Sequence, residues 1–155
     1  MPKIQLDPID RKIVHQLQKN ARISNVELAD AVGLSPSPCL RRVRTLEEAG
    51  VIKGYVALVD PSVIGMQMNI FVRVSLERQI DEVLEKFEQA VSRCPEVMEC
   101  YLMSGDTDYH LRVVVPDLEA YERFLKTHLT RMPGVASIKS SFALKQVTYR
   151  TALPV

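Results

Sequence analysis

The chain has 155 residues and a mass of 17.5 kDa, room for one ordinary domain or two small ones. Apolar residues make up 46% and charged residues 25%, which excludes a disordered or fibrous chain. The net charge is +1, from 20 Lys plus Arg against 19 Asp plus Glu, and as a chain average it gives no hint of a nucleic-acid partner. Three cysteines without a CxxC or a zinc-like His spacing argue against a disulfide framework or a structural zinc. Signal-peptide and membrane-spanning patterns are not found, so a cytoplasmic protein with no membrane partner is expected.

Asp7-Pro8 opens a first helix, with Asp7 as cap and Pro8 at a position that needs no N–H. Ile9, Ile13, Val14 and Leu17 follow at helical spacing. A capping box, Ser24 with Glu27, starts a second helix that stops at Gly33. Ser35 caps a third helix, which carries Pro36 and Pro38 in its first turn and ends at Gly50. Its inner stripe is Cys39, Leu40, Val43, Leu46 and Ala49. Two short helices joined by Gly33-Leu34-Ser35 fit a helix-turn-helix.

The outer face of the third helix points to DNA. Ser37, Arg41 and Arg44 share one stripe, flanked by Arg42 and Thr45. Arginine is the commonest bidentate partner of guanine, and Ser or Thr contacts phosphates or base edges. The helix N-terminus is expected to add free N–H groups and positive dipole for a phosphate, and Ser35, Ser37 and Pro38 at this start are counted among the expected DNA contacts. Residues 1–54 hold nine bases and six acids, a balance of +3; the remaining 101 residues hold 11 bases and 13 acids, a balance of −2. The average of +1 conceals a basic N-terminal part.

Val51 to Val59 reads as a strand, and the domain boundary is expected near Pro61, giving domains 1–61 and 62–155. Met68–Leu76 alternates as a half-buried strand, and 80–93 switches to helical period. Strands are expected at 97–103 and 109–115, a helix after Asp117, and a last strand at 136–147. The order βαββαβ is the split-βαβ, ferredoxin-like sandwich, an α+β fold with helices on one sheet face. Phe71, Met98, Val114 and Ala143 fall on the other face, which implies a partner and most simply a homodimer.

No nucleophile, acid or base set converges, so an enzyme is not expected. His15, His110 and His128 are scattered, Asp106-x-Asp108 lacks the rest of a calcium loop, and no cofactor loop occurs. Cys94 and Cys100 read as buried small hydrophobes. Ser104 to Tyr109 is a polar turn with two carboxylates that by local sequence reads first as a solvated hairpin, and second as a holder of a zwitterion.

Taken together, Leu6-Asp7-x-x-Asp10, Asn20-Ala21-Arg22-Ile23-Ser24, Val32 to Cys39, and Arg41-Arg42-Val43-x-x-Leu46-Glu47-x-x-Gly50-Val51-Ile52 resemble a known family. Ser104 to Tyr109, Pro133-Gly134-Val135 and Ser140-Ser141-Phe142 extend the likeness along the whole chain. The sequence resembles the Lrp/AsnC, or feast/famine, transcription regulators. The resemblance implies a winged-helix-like N-terminal domain and a C-terminal amino-acid-sensing domain. It also implies dimers through the sheets, assembled into an octamer or similar ring on double-stranded DNA. The implied effector contacts are Leu102, Met103, Ser104, Gly105, Asp106, Thr107, Asp108 and Tyr109, with Ser140, Ser141 and Phe142 in the same cleft and further residues from a neighbouring subunit. It leaves the amino acid itself open, sulfur-containing and branched-chain ones being the family's habit. An architectural DNA-compacting protein without an effector is the alternative reading.

Overall fold

The computed structural model describes residues 5–155; the first four residues of the expected first domain lie outside this range. The chain forms two compact units, one of residues up to Leu58 together with Val147–Val155, the other of Val59–Gln146.

The first unit holds three helices, α1 (Pro8–Lys19), α2 (Asn25–Val32) and α3 (Pro36–Glu48). Two of the three expected side-chain caps form, at α1 and α2. The Asp7 carboxylate accepts from the Ile9 and Asp10 N–H groups, while Asp10 returns the bond to the Asp7 N–H. Ser24 and Glu27 make the same reciprocal pair at α2. Gly33 ends α2 at φ 76°, a left-handed position that glycine takes without a Cβ penalty. Ile13, Leu28, Ala29, Val32, Cys39 and Leu46 meet in one core. Leu40, expected on the inner stripe, is exposed.

The strand expected from Val51 to Val59 does not form. Val51 and Ile52 donate back to the Leu46 carbonyl and pack on the helical core, and residues 53–60 join no strand; the Tyr55 hydroxyl instead donates to Glu47 on α3 at 2.8 Å. A strand needs a neighbour to satisfy its backbone, and alternation alone supplies none. The expected 62–155 domain also gives up its last residues. The side-chain amide of Gln18 donates to the Leu153 carbonyl (3.0 Å) and accepts from the Leu153 N–H (2.7 Å), holding that segment on α1.

The second unit is an antiparallel sheet of β1 (Met68–Leu76), β2 (Val97–Leu102), β3 (Tyr109–Val115) and β4 (Val135–Phe142) in the order β2-β3-β1-β4. Helices α4 (Asp81–Val91) and α5 (Leu118–Thr127) supply Phe87, Val91, Tyr121 and Phe124 to a core with Ile70, Val72, Val74, Leu111, Val113 and Val115. The alternation of β1 and β3 places these strand residues on one face, so both helices cover that face. β4 stops at Phe142, short of the expected 147; Leu144, expected in phase, is 99% exposed because β1 ends its pairing at Ile70. On the other face Phe71, Met98 and Ala143 are exposed and Val114 is half-buried. Cys39 and Cys94 are buried, whereas Cys100, on the edge strand β2, is exposed rather than enclosed.

Candidate DNA-reading face and effector hairpin

The turn from α2 to α3 is braced by the Asn25 side chain, which donates to the Pro36 carbonyl at 2.8 Å. Leu34 N–H donates to the Ala29 carbonyl at 2.8 Å and completes the turn. These bonds fix the outward face of α3. On it Ser37, Arg41, Arg44 and Thr45 are exposed, and Arg41 and Arg44 make no ion pair among the described residues. The Thr45 hydroxyl donates to the Arg41 carbonyl at 3.0 Å and so offers outward an acceptor and a methyl group.

Three of the expected DNA contacts are placed differently. Arg42 turns towards α1, where its Nη1 donates to Asp7 at 2.7 Å and Asp10 at 2.8 Å. It joins the α1 capping box to α3, and Asp7 and Asp10 neutralise it. Ser35 occupies the cap position of α3, yet its hydroxyl caps nothing. Pro38 is half-buried. Pro36 and Pro38 also lack N–H groups, so in the first three positions of α3 Ser37 alone has a backbone donor to offer.

In the second unit the hairpin between β2 and β3 divides into an exposed tip and an anchored base. Ser104, Gly105 and Asp106 are exposed at the tip, as are Leu102 and Met103; Thr107 is half-buried. Met103 N–H donates to the Asp108 carbonyl at 2.8 Å. Asp108 is only 7% exposed. Its Oδ2 accepts from the Leu76 N–H at 2.7 Å, and its Oδ1 from Gln79 Nε2 at 2.6 Å. The residue pins the hairpin to the end of β1 and to the loop before α4. Tyr109 points into the helix-covered core, its hydroxyl donating to Glu88 at 2.6 Å; burial, then that carboxylate, pushes its pKa well above the ordinary tyrosine range. It has no surface to offer a ligand.

Ser140, Ser141 and Phe142 do not join the hairpin within one chain. Ser140 hydrogen-bonds the Tyr121 hydroxyl, and Phe142 packs edge-on to the Tyr121 ring at 5.6 Å, both on the helix-covered face. Ser141 pairs with Phe71 and faces the other side. Phe142 pairs with Ile70, at the start of β1, whereas the hairpin is tied to Leu76 at its end. A cavity of about 640 Å³ opens at that far end, beside Met98, Val114, Phe124 and His128, and includes none of the expected effector residues. Gln79 is the hairpin neighbour that sequence reasoning missed; it sits in a loop where no periodicity marks a partner.

Comparison with known proteins settles what these two units are. Residues 69–153 match the family described as the Lrp/AsnC ligand binding domain, and residues 6–53 match a winged helix-turn-helix DNA-binding family. The chain belongs to the Lrp/AsnC family. A Bkd operon transcriptional regulator of Pseudomonas aeruginosa is 51% identical over 151 residues, 97% of this chain and 99% of that protein. The leucine-responsive regulatory protein of Escherichia coli K12 is 45% identical over 154 residues, 99% and 94% of the two chains. Among solved structures, a Neisseria meningitidis transcriptional regulator in complex with L-Met superposes with a TM-score of 0.91 at 41% identity, covering 97% of both chains. An Agrobacterium tumefaciens AsnC-family regulator gives a TM-score of 0.91 at 43% identity, covering 96% and 97%. This Lrp/AsnC protein is therefore a DNA-binding transcriptional regulator with a ligand-binding domain, and its relatives are regulators rather than enzymes.

Proposed function

We propose that this Lrp/AsnC protein represses or activates its target genes in response to an amino acid, by a change in assembly that alters DNA occupancy. The observation that carries the reading is the outward face of α3: two unpaired arginines one turn apart, with Ser37 and Thr45 beside them, on a helix braced by Asn25. Arg41 and Arg44 read base edges in the major groove; Ser37 and Thr45 contact phosphate or sugar. Arg42 acts as an internal brace.

The uncovered sheet face, with Phe71, Met98 and Val114, is the dimer surface in this reading, and dimers assemble into an octamer or similar ring. A two-fold dimer carries two reading helices to half-sites about one helical turn, or a multiple of it, apart. The effector lies against the hairpin at Met103 to Asp108, and its site is completed by residues of a neighbouring subunit; Ser140 to Phe142 are too far along β1 to serve in the same chain. The L-Met bound by the Neisseria relative makes methionine the first amino acid to test. The described helices include none long and apolar enough to cross a membrane, in keeping with a cytoplasmic, nucleoid-associated protein.

The test is a thermal-shift screen of the intact chain against the twenty amino acids. It is followed by DNA titration, with and without the stabilising amino acid, on sites selected from random DNA. Mass action makes a binder raise the melting temperature. If no amino acid moves either the melting temperature or DNA affinity, the protein is instead an architectural DNA-compacting factor.

A further inference from the structure

Asp108 is held from three sides. Its N–H donates to the Val74 carbonyl at 3.1 Å, its carbonyl accepts from Met103, and its Oδ2 accepts from the Leu76 N–H. All three bonds involve backbone at the ends of strands, and breaking any of them loosens the sheet where β1, β2 and β3 end or begin. The fourth bond differs in kind. Oδ1 accepts from Gln79 Nε2 at 2.6 Å, and Gln79 is an exposed side chain in the loop Glu77–Ile80 that can swing into solvent at little cost. Oδ1 is therefore the part of this buried carboxylate whose partner, a neutral amide, can leave without disturbing the strands.

We infer that Gln79 is a displaceable plug on the effector site: its amide fills the place on Asp108 that the α-ammonium group of an amino-acid effector takes. This inference rests on the proposed effector role of the hairpin. An ammonium group carries a full charge and makes the stronger, charge-assisted bond, so it displaces the amide, whereas a ligand without an amine does not. The plug thereby selects for amino acids over the matching keto or hydroxy acids. It also lowers the apparent affinity by the fraction of time Oδ1 stands uncovered.

The experiment is calorimetric titration of the intact chain, as wild type, Gln79→Ala and Gln79→Lys, with each of the twenty L-amino acids. Gln79→Ala removes the plug and is expected to tighten binding about 3- to 10-fold, the span of one modest hydrogen bond. Gln79→Lys supplies a tethered ammonium and is expected to weaken binding by at least as much. Melting without ligand checks that each variant folds; Gln79→Ala suffices if the lysine variant does not. Binding by the wild type with Gln79→Ala unchanged or weaker overturns the inference alone. Absence of binding by the wild type to all twenty removes the effector reading and the inference with it.

Discussion

Replacing Asp108 separates a structural carboxylate from one that merely touches a ligand. In Asp108→Ala the Leu76 N–H, buried at the end of β1, loses its acceptor at 2.7 Å. A buried donor left without a partner costs about 1–3 kcal/mol, towards the upper end when the lost acceptor was charged. Gln79 is exposed and turns to water, so its bond adds little. The sum is about 2–3 kcal/mol. Asp108→Asn keeps a carbonyl for the Leu76 N–H and is expected to cost about 1 kcal/mol or less. Urea unfolding followed by circular dichroism measures the difference in the intact protein. Hydrogen exchange at the Leu76 amide measures it locally, with roughly 30- to 150-fold faster exchange in the alanine variant. Equal effects of Ala and Asn, or a loss below about 0.5 kcal/mol in Ala, would refute the anchoring role.

Arg41→Ala and Arg44→Ala are each expected to weaken specific DNA binding by about 1–3 kcal/mol and relax base preference, measured by fluorescence anisotropy on matched and mismatched sites. Arg42→Ala should instead lower the melting temperature of the helical unit and leave base preference unchanged in the same assay, because its partners are Asp7 and Asp10. Acid should lower the stability of that unit through its caps. Backbone donation from Asp10 and the Arg42 bond lower the Asp7 pKa, and the Ser24 bonds lower that of Glu27. Folded values below unfolded ones mean stability fully present above the ordinary carboxylate range, about pH 4, and lost as pH falls through the folded values, which a pH-dependent melting series follows. Gly134→Ala should destabilise the sheet unit by about 2–4 kcal/mol, since φ is 75° there and a Cβ would come within 2.5 Å of Val83 Cγ1; urea unfolding with Val83→Ala added should recover the clash but not the backbone part.

Much of this fold was legible from the sequence where local chemistry agrees with the final packing. Ser24 with Glu27, Gly33, and the phase of Ile70, Val72 and Val74 each name one solution. The misreadings share a cause: they concern groups whose role depends on distant neighbours. Arg42 stands in the same basic run as Arg41 and Arg44, and only the position of α1 tells them apart. Val51 to Val59 has strand periodicity without a strand to pair with. Asp108 and Tyr109 belong to a polar-looking turn, yet both side chains face inward, towards Leu76 and Glu88. The hairpin motif singled out this loop while leaving unresolved which of its residues hold it up and which stay exposed. Prolines at 36 and 38 have no N–H to donate to a phosphate, which their identity alone decides.

The Gln18–Leu153 bonds give the helical unit a discontinuous sequence. A ribosome releases α1 to α3 first, then the whole sheet, and only afterwards the residues that lie against α1. The DNA-reading helices therefore reach their finished surroundings last, after the ligand-binding sheet has been made. A fragment ending after α3 lacks the Gln18–Leu153 bonds, and the same fragment with Val147–Val155 grafted back is its direct comparison in domain dissection.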